Sequence, residues 1–235
     1  MLNVIYEDNS IIVVCKPCNM PVAPDASGDA DLLSQVKQYI KEKYNKPGEV
    51  YIGLVHRLDR PAGGIVVFAR NSKSAARLSE QVRSHDMKRT YYAVVRSCPR
   101  EPEGQLTNYL LKNQQTNTVS VVPQATEGAK MAVLDYKVLQ TVSNGDRSLS
   151  LVRIQLQTGR AHQIRVQMAH IGCPLWGDQR YGFGVNKKGQ QLALWAVGLT
   201  LTHPIAKDKR VFLCYPQTDT PWSLFKLELS PDISE

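Results

Sequence analysis

Residues 51–69 constrain the fold of this chain more than any other stretch. Two apolar runs of strand length, 51–55 and 65–68, bracket the segment His56-Arg57-Leu58-Asp59-Arg60-Pro61-Ala62-Gly63-Gly64. Proline and paired glycines favour a turn. The reading is therefore strand, charged turn, strand, with Asp59 on the connection. That turn sets one carboxylate between two arginines. Opposite charge nearby favours the ionised form of a carboxylate, and arginine is well shaped to hold phosphate. An ionised aspartate beside phosphate-binding groups points to nucleophilic chemistry on a nucleic acid. From these residues alone, a surface ion pair next to a turn is the competing reading.

The rest of the chain reads as short strands broken by a few helices. Residues 4–6 and 11–14 predict two strands joined at Asp8-Asn9-Ser10. From Asp31, the positions Leu32, Leu33, Val36, Ile40 and Tyr44 recur with helical period. Asn71 or Ser72 can cap a helix carrying Ala75, Leu78 and Val82. Residues 90–95, 119–122, 132–139, 149–156, 192–202 and 211–215 suit extended pairing. In 149–156, Ser150, Val152, Ile154 and Leu156 share one face, with Arg153 and Gln155 on the other. Residues 161–171 read as a helix with Ile164, Met168 and Ile171 on one side and Gly172 as its stop. Arg165 then lies roughly 100° round from Ile164. Strands outnumber helices and no linker is evident, so we expect one mixed α/β (α+β) domain over residues 1–235, with flanking helices on a largely antiparallel central sheet.

Composition narrows the class. The formal charge of +8 and pI near 9.3 favour a polyanionic partner. No apolar run reaches the roughly 20 residues that span a bilayer, and the first residues lack the pattern of a signal peptide, so the expectation is a cytoplasmic protein with no membrane partner. The five cysteines should then be reduced. Cys15-Lys16-Pro17-Cys18 has CxxC spacing but no second pair of ligands, and it sits in a turn, so neither a metal nor a redox role is assigned. The histidines form no HExxH pattern, and no GxxxxGK[ST] or GxGxxG run occurs, so no metal, cofactor or nucleotide is expected.

Four segments, in order along the chain, resemble the RluA family of RNA pseudouridine synthases. His56-Arg57-Leu58-Asp59 with its Gly-Gly turn resembles that family's HRLD segment. Tyr6-Glu7-Asp8-Asn9-Ser10 through Lys16-Pro17 resembles its opening strand pair. Arg89-Thr90-Tyr91-Tyr92-Ala93-Val94-Val95 resembles its K-x-Y-x-A-x-V strand. Thr158-Gly159-Arg160-Ala161-His162-Gln163-Ile164-Arg165, followed by Gly177-Asp178 and Tyr181-Gly182, resembles its TGRTHQIR…GDxxYG block. Two departures stand out. Pro61-Ala62-Gly63-Gly64 replaces a commoner T-S-G turn, and Leu194-Trp195-Ala196 stands where the family often has Leu-His-Ala.

The resemblance implies a pseudouridine synthase-like fold in a stand-alone catalytic domain, without an N-terminal S4-type RNA-binding domain. The implied activity is isomerisation of uridine to pseudouridine in ribosomal or transfer RNA, with RNA as partner, no cofactor, and a monomeric enzyme. The N1–C1′ bond of uridine breaks, the base turns, and it rejoins through C5. A carboxylate can attack C1′ or remove the C2′ proton to give a glycal; the sequence leaves both routes open. The resemblance assigns this role to Asp59, with Arg165 as its partner and Tyr91 stacking on the uracil or helping to take the C5 proton. Arg57 would fill the space that an extruded uridine leaves. His56, Arg60, Arg160, Lys16 and Arg89 are further candidates for RNA contact, His56 also as a residue that orients its loop. An RNA-binding factor that lost the chemistry, and a nucleoside hydrolase releasing free uracil, are the competing classes.

Overall fold

The computed structural model describes residues 2–144, 147–182 and 184–227; Met1, 145–146, 183 and 228–235, which the expected 1–235 domain includes, lie outside the described residues. The chain divides into two compact units. The first holds the described residues of Met1–Lys88 and Ala196–Tyr215, the second those of Arg89–Trp195 and Pro216–Ile233.

The first unit is a sheet with two helices. Strands β1 (Asn3–Glu7) and β2 (Ile11–Lys16) form an antiparallel hairpin, and Asp8 sets its turn by accepting from the Ser10 and Ile11 N–H groups at 2.7 and 2.9 Å. Strand β4 (Gly63–Ala69) pairs with β2 along its whole length, from Ile11 opposite Ala69 to Lys16 opposite Gly64. Both strands are buried throughout, which matches their continuous apolar sequence. The two-residue strand β3 (Gly53–Leu54) also pairs with β4, so residues 55–62 form the loop that carries Asp59. This is the expected strand, turn, strand, with a much shorter first strand.

Helix α1 (Leu32–Lys43) starts where Asp31 accepts the Ser34 N–H at 2.9 Å, and buries Leu32, Val36 and Ile40. Helix α2 (Ser72–Arg83) is capped by Asn71 through the Ser74 N–H at 2.8 Å. Its Leu78 packs into a core of Ile11, Val13, Ile65, Val67, Ala69, Met87, Leu199, Leu201 and Phe212.

The second unit is a meander. Strand β5 (Lys88–Arg96) pairs with β9 (Arg147–Leu156), which pairs with β8 (Lys130–Asn144), then β6 (Glu103–Asn113) and β7 (Thr118–Val122), all antiparallel. The sequence reading assigns no element to β6. Its composition explains the omission: Leu110 alone in it is buried, so half-exposed polar positions mask the period of two. Register puts Tyr91, Ile154, Tyr136 and Gly104 in one row and Tyr92, Arg153, Lys137 and Glu103 in the next. Consecutive rows face opposite sides of the sheet.

Helix α3 (Gln163–His170) packs Val166 against Leu110, Val119 and Ala132. It departs from the amphipathic helix expected over 161–171. Every residue from Gln163 to Met168 is buried, while Ile171 is partly exposed. Buried glutamines replace the polar face: Gln167 Nε2 donates to the carbonyls of Leu106 and Ala132 and to Asn108 Oδ1 at 2.8–3.2 Å. The stop is as expected, with Gly172 at φ +79° just beyond the helix. Strands β10 (Leu194–Thr202) and β11 (Lys209–Leu213) complete the antiparallel pairings. The unit boundaries at residues 88/89 and 195/196 fall inside β5 and β10, which is why no linker composition marks them. The architecture is α+β, with a mostly antiparallel sheet and three α-helices among the described residues.

Candidate active site

The loop that carries Asp59 is shaped by a buried lysine. Lys16 ends β2 on the face of Ile12 and Val14 and has no exposed surface. Its ammonium donates to the carbonyls of Met20, Pro17 and Arg60 at 2.7, 2.9 and 3.1 Å. Three N–H groups meet three carbonyls, and the third belongs to the residue after Asp59. Burial pushes the Lys16 amine down to about 8, against the attraction of Cys18 and Asp59. This corrects the expectation of an RNA contact: a fully buried ammonium with every donor engaged cannot reach a phosphate. Lys16 is a positioning residue for the loop.

Two further hydrogen bonds and a glycine fix the same loop. The Val67 N–H donates to His56 Nε2 at 3.1 Å, so the imidazole is neutral with its proton on Nδ1. His56 is 8% exposed, and this bond ties its ring to β4. The Ala62 N–H bonds the Asp59 carbonyl at 3.1 Å and closes the turn. Gly64 leaves it at φ +114°, where an added Cβ would lie 2.3 Å from the Ala196 carbonyl oxygen, so no side chain fits there.

The two arginines beside Asp59 differ. Arg60 turns toward residues 19–29: it ion-pairs with Asp29 and Asp25, donates to Ser27 Oγ at 3.0 Å, and reaches the Asn19 carbonyl at 3.4 Å. Hydrogen bonds from Ser27, then the charges of Arg60 and Arg57, hold the Asp25 carboxyl below its usual range. Arg57 is exposed and makes no hydrogen bond or ion pair among the described residues. It is therefore the cation of this loop available to a ligand.

In the second unit, Arg165 on α3 is buried and forms a bidentate pair with Asp178, Nε to Oδ2 at 2.7 Å and Nη2 to Oδ1 at 2.8 Å. Asp178 has 1% exposure and also accepts the Arg180 and Tyr181 N–H groups at 3.0 and 3.1 Å. Burial alone would raise its carboxyl; Arg165 and the two amides outweigh that and hold it below the carboxylate range. The Arg165 guanidinium lies over the Tyr181 ring, 5.1 Å from its centroid. The Tyr181 hydroxyl accepts the Val119 N–H at 2.9 Å and shares a 2.7 Å hydrogen bond with His162 Nδ1. His162 sits in left-handed backbone at the start of α3.

The sequence reading gives Asp178 and Tyr181 no role, although both stand in the Gly177-Asp178 and Tyr181-Gly182 segments it singles out. Their tie to Arg165 joins a helix to a loop thirteen residues on, which no local spacing reveals. Tyr91 is buried in β5 opposite Ile154, and Tyr92, also buried, faces the other side, so the alternation between them holds. Arg160 is exposed, its Nε donating to the Met131 carbonyl at 2.9 Å. Arg89 is buried against Gly159. Among the described residues, no cluster of three or more His, Cys, Asp or Glu could hold a metal.

Comparison with known proteins adds the decisive observation. A family model described as RNA pseudouridylate synthase matches residues 10–170, which include Asp59, Tyr91 and Arg165. The chain belongs to the RNA pseudouridylate synthase family. Among curated members of that family it is 34% identical to the uncharacterized RNA pseudouridine synthase YhcT of Bacillus subtilis, over 88% of this chain and 66% of that protein. Ribosomal large subunit pseudouridine synthase D of Haemophilus ducreyi is 31% identical over 87% of this chain and 64% of its own length. tRNA pseudouridine synthase C of Vibrio cholerae is 30% identical over 90% and 89%. The chain thus spans just under two thirds of the first two relatives and nearly all of the third. The fold matches human RNA pseudouridylate synthase domain containing 4, with a TM-score of 0.75 at 22% identity over 92% of this chain and 89% of that one.

Proposed function

We propose that this family member is an RNA pseudouridine synthase that isomerises uridines in ribosomal or transfer RNA, its residues 1–235 serving as one catalytic domain. The observation that carries this reading is the aspartate loop: its carboxylate is carried on a turn fixed by Lys16 and His56, between one arginine engaged by acids and one left open to a ligand. Asp59 acts as nucleophile at C1′ or base at C2′. Arg57 takes the place of the flipped base. Tyr91 stacks on the uracil, and Arg165, held by Asp178, serves the reacting centre. The names of the relatives, a ribosomal large subunit synthase and a tRNA synthase, support this substrate class.

The test is conversion of uridine to pseudouridine in a transcript, read at unchanged RNA mass. Asp59→Asn is expected to abolish it while RNA affinity stays within a few-fold, because the amide keeps the shape without the charge. Retained turnover overturns the assignment, and release of free uracil makes the protein a hydrolase. Arg57→Ala should slow a uridine in a stable stem far more than one in an unpaired strand, since unstacking costs a few kcal/mol only in the duplex. Arg165→Ala should slow both alike. Single-turnover rates on the two forms of one sequence separate these roles, and equal losses for Arg57→Ala remove it as a flipping residue.

A further inference from the structure

Arg89 is 8% exposed, and its Nε is buried with no hydrogen-bond partner among the described residues. It forms no ion pair there either. A guanidinium taken out of water without a compensating anion is costly, and folded proteins rarely keep one. The neighbouring turn explains how its partner could arrive. A Cβ built on Gly159 would lie 2.8 Å from Arg89 Nη1, so the guanidinium runs directly beneath a glycine that is itself exposed. A side chain at position 159 would crowd that guanidinium.

The turn is rigid. Thr158 Oγ1 donates to Gln163 Oε1 at 2.8 Å and accepts the Val133 N–H at 2.9 Å, and the Arg160 N–H donates to the same Gln163 oxygen at 3.0 Å. Gln163 Nε2 in turn donates to the Val133 carbonyl at 3.0 Å. Arg160 adds a second guanidinium with no carboxylate partner among the described residues, its Nε on the Met131 carbonyl. Two arginines without acids therefore flank a fixed glycine, the pattern that suits a tetrahedral anion.

We propose that Arg89, with Gly159 and Arg160, forms a phosphodiester subsite, and that the backbone phosphate of the bound RNA is the anion Arg89 lacks. This rests on the reading of the protein as an RNA-modifying enzyme, and it names the chemistry that a buried basic residue supplies there. Lys16, also buried and basic, differs because its donors are all met within the protein.

The experiment is titration of a labelled RNA stem-loop against the protein at a series of KCl concentrations. Each phosphate neutralised contributes about one to the slope of log affinity against log salt. Arg89→Met is expected to lower that slope by about one, to weaken binding several-fold at ~0.1 M salt, and to leave the unfolding midpoint of the free protein unchanged or raised. An unchanged slope overturns the proposal, as does a lowered midpoint with the slope retained, which makes Arg89 structural. Gly159→Val provides an independent arm should Arg89→Met fail to fold: a branched side chain over Nη1 should reduce the slope likewise, and wild-type salt dependence in that variant counts against the subsite. Binding to unreacted RNA is separate from turnover. A wild-type protein that binds with the expected slope yet makes no pseudouridine would break the functional reading and leave this one standing.

Discussion

Lys16 and Arg89 are both buried cations at a strand end, and they are opposites. Lys16 ends β2 with three carbonyls around its ammonium. Arg89, near the start of β5, has a buried Nε that nothing in the described protein accepts. The first cation holds the fold together and is closed to ligand; the second is left for something that arrives. Burial and charge alone do not separate these roles. What separates them is whether the donors are already satisfied, because an unmet buried donor has a cost that only a partner can offset.

The largest expected effect breaks the comparison from the Lys16 side. Lys16→Met leaves the Pro17, Met20 and Arg60 carbonyls without their donor and should cost about 3 kcal/mol in urea unfolding, with the Asp59 loop loosened. A loss under about 1 kcal/mol would mean the lysine is dispensable to the fold. The pH dependence sharpens the point. The folded Lys16 amine titrates near 8, below its ordinary 10.5, so the unfolded chain holds the extra proton between those values. Wild-type stability should therefore rise from pH 8 to 10.5 relative to Lys16→Met. Parallel curves for the two proteins would contradict that assignment.

Much of this arrangement is legible in sequence, and unevenly so. Residues 51–69 announce a charged turn between strands because proline and glycine act locally. Asn71 announces its helix through a local cap, and the residues after Asp31 announce theirs through a helical period. Lys16 is misread as a surface contact because its burial is tertiary, with one of its three acceptors forty-four positions away. Asp178 goes unassigned for the same reason: its value lies in a partner on another element. Strand β6 escapes because it is half exposed, which blurs the alternation that reveals a strand.

A smaller effect is expected at that second pair. Asp178→Asn keeps one oxygen for the amides of Arg180 and Tyr181 but removes the charge opposite buried Arg165, and should cost about 2 kcal/mol. Because the Asp178 carboxyl is held below its usual range, its contribution is complete above about pH 4 and fades as pH falls through the folded-state value. Wild type and Asp178→Asn should thus converge in stability on acidification, which thermal scans from pH 6 down to 3 can follow. Failure to converge would place the stabilisation elsewhere.

The smallest effect belongs to Arg60. Its pairs with Asp25 and Asp29 are exposed, and such pairs contribute about 0–1 kcal/mol. Arg60→Ala should shift the urea midpoint little and change RNA affinity less than Arg57→Ala does. A larger affinity loss at Arg60 would show that RNA displaces the acids and uses both arginines of the loop.

The Lys16 clamp also makes the loop's integrity chemically readable. An amine with its titration near 8 is unprotonated far more often at neutral pH than an ordinary lysine, and so is intrinsically the more reactive toward acylating reagents. In the folded protein no reagent reaches it, since none of its surface is exposed. Labelling at Lys16 can proceed only when this end of β2 opens, and its rate equals the opening rate where acylation outpaces reclosing. Pulse-acylation followed by peptide mapping would therefore clock the unlatching of the Asp59 loop directly, with the exposed lysines of α1 as the instantaneous reference.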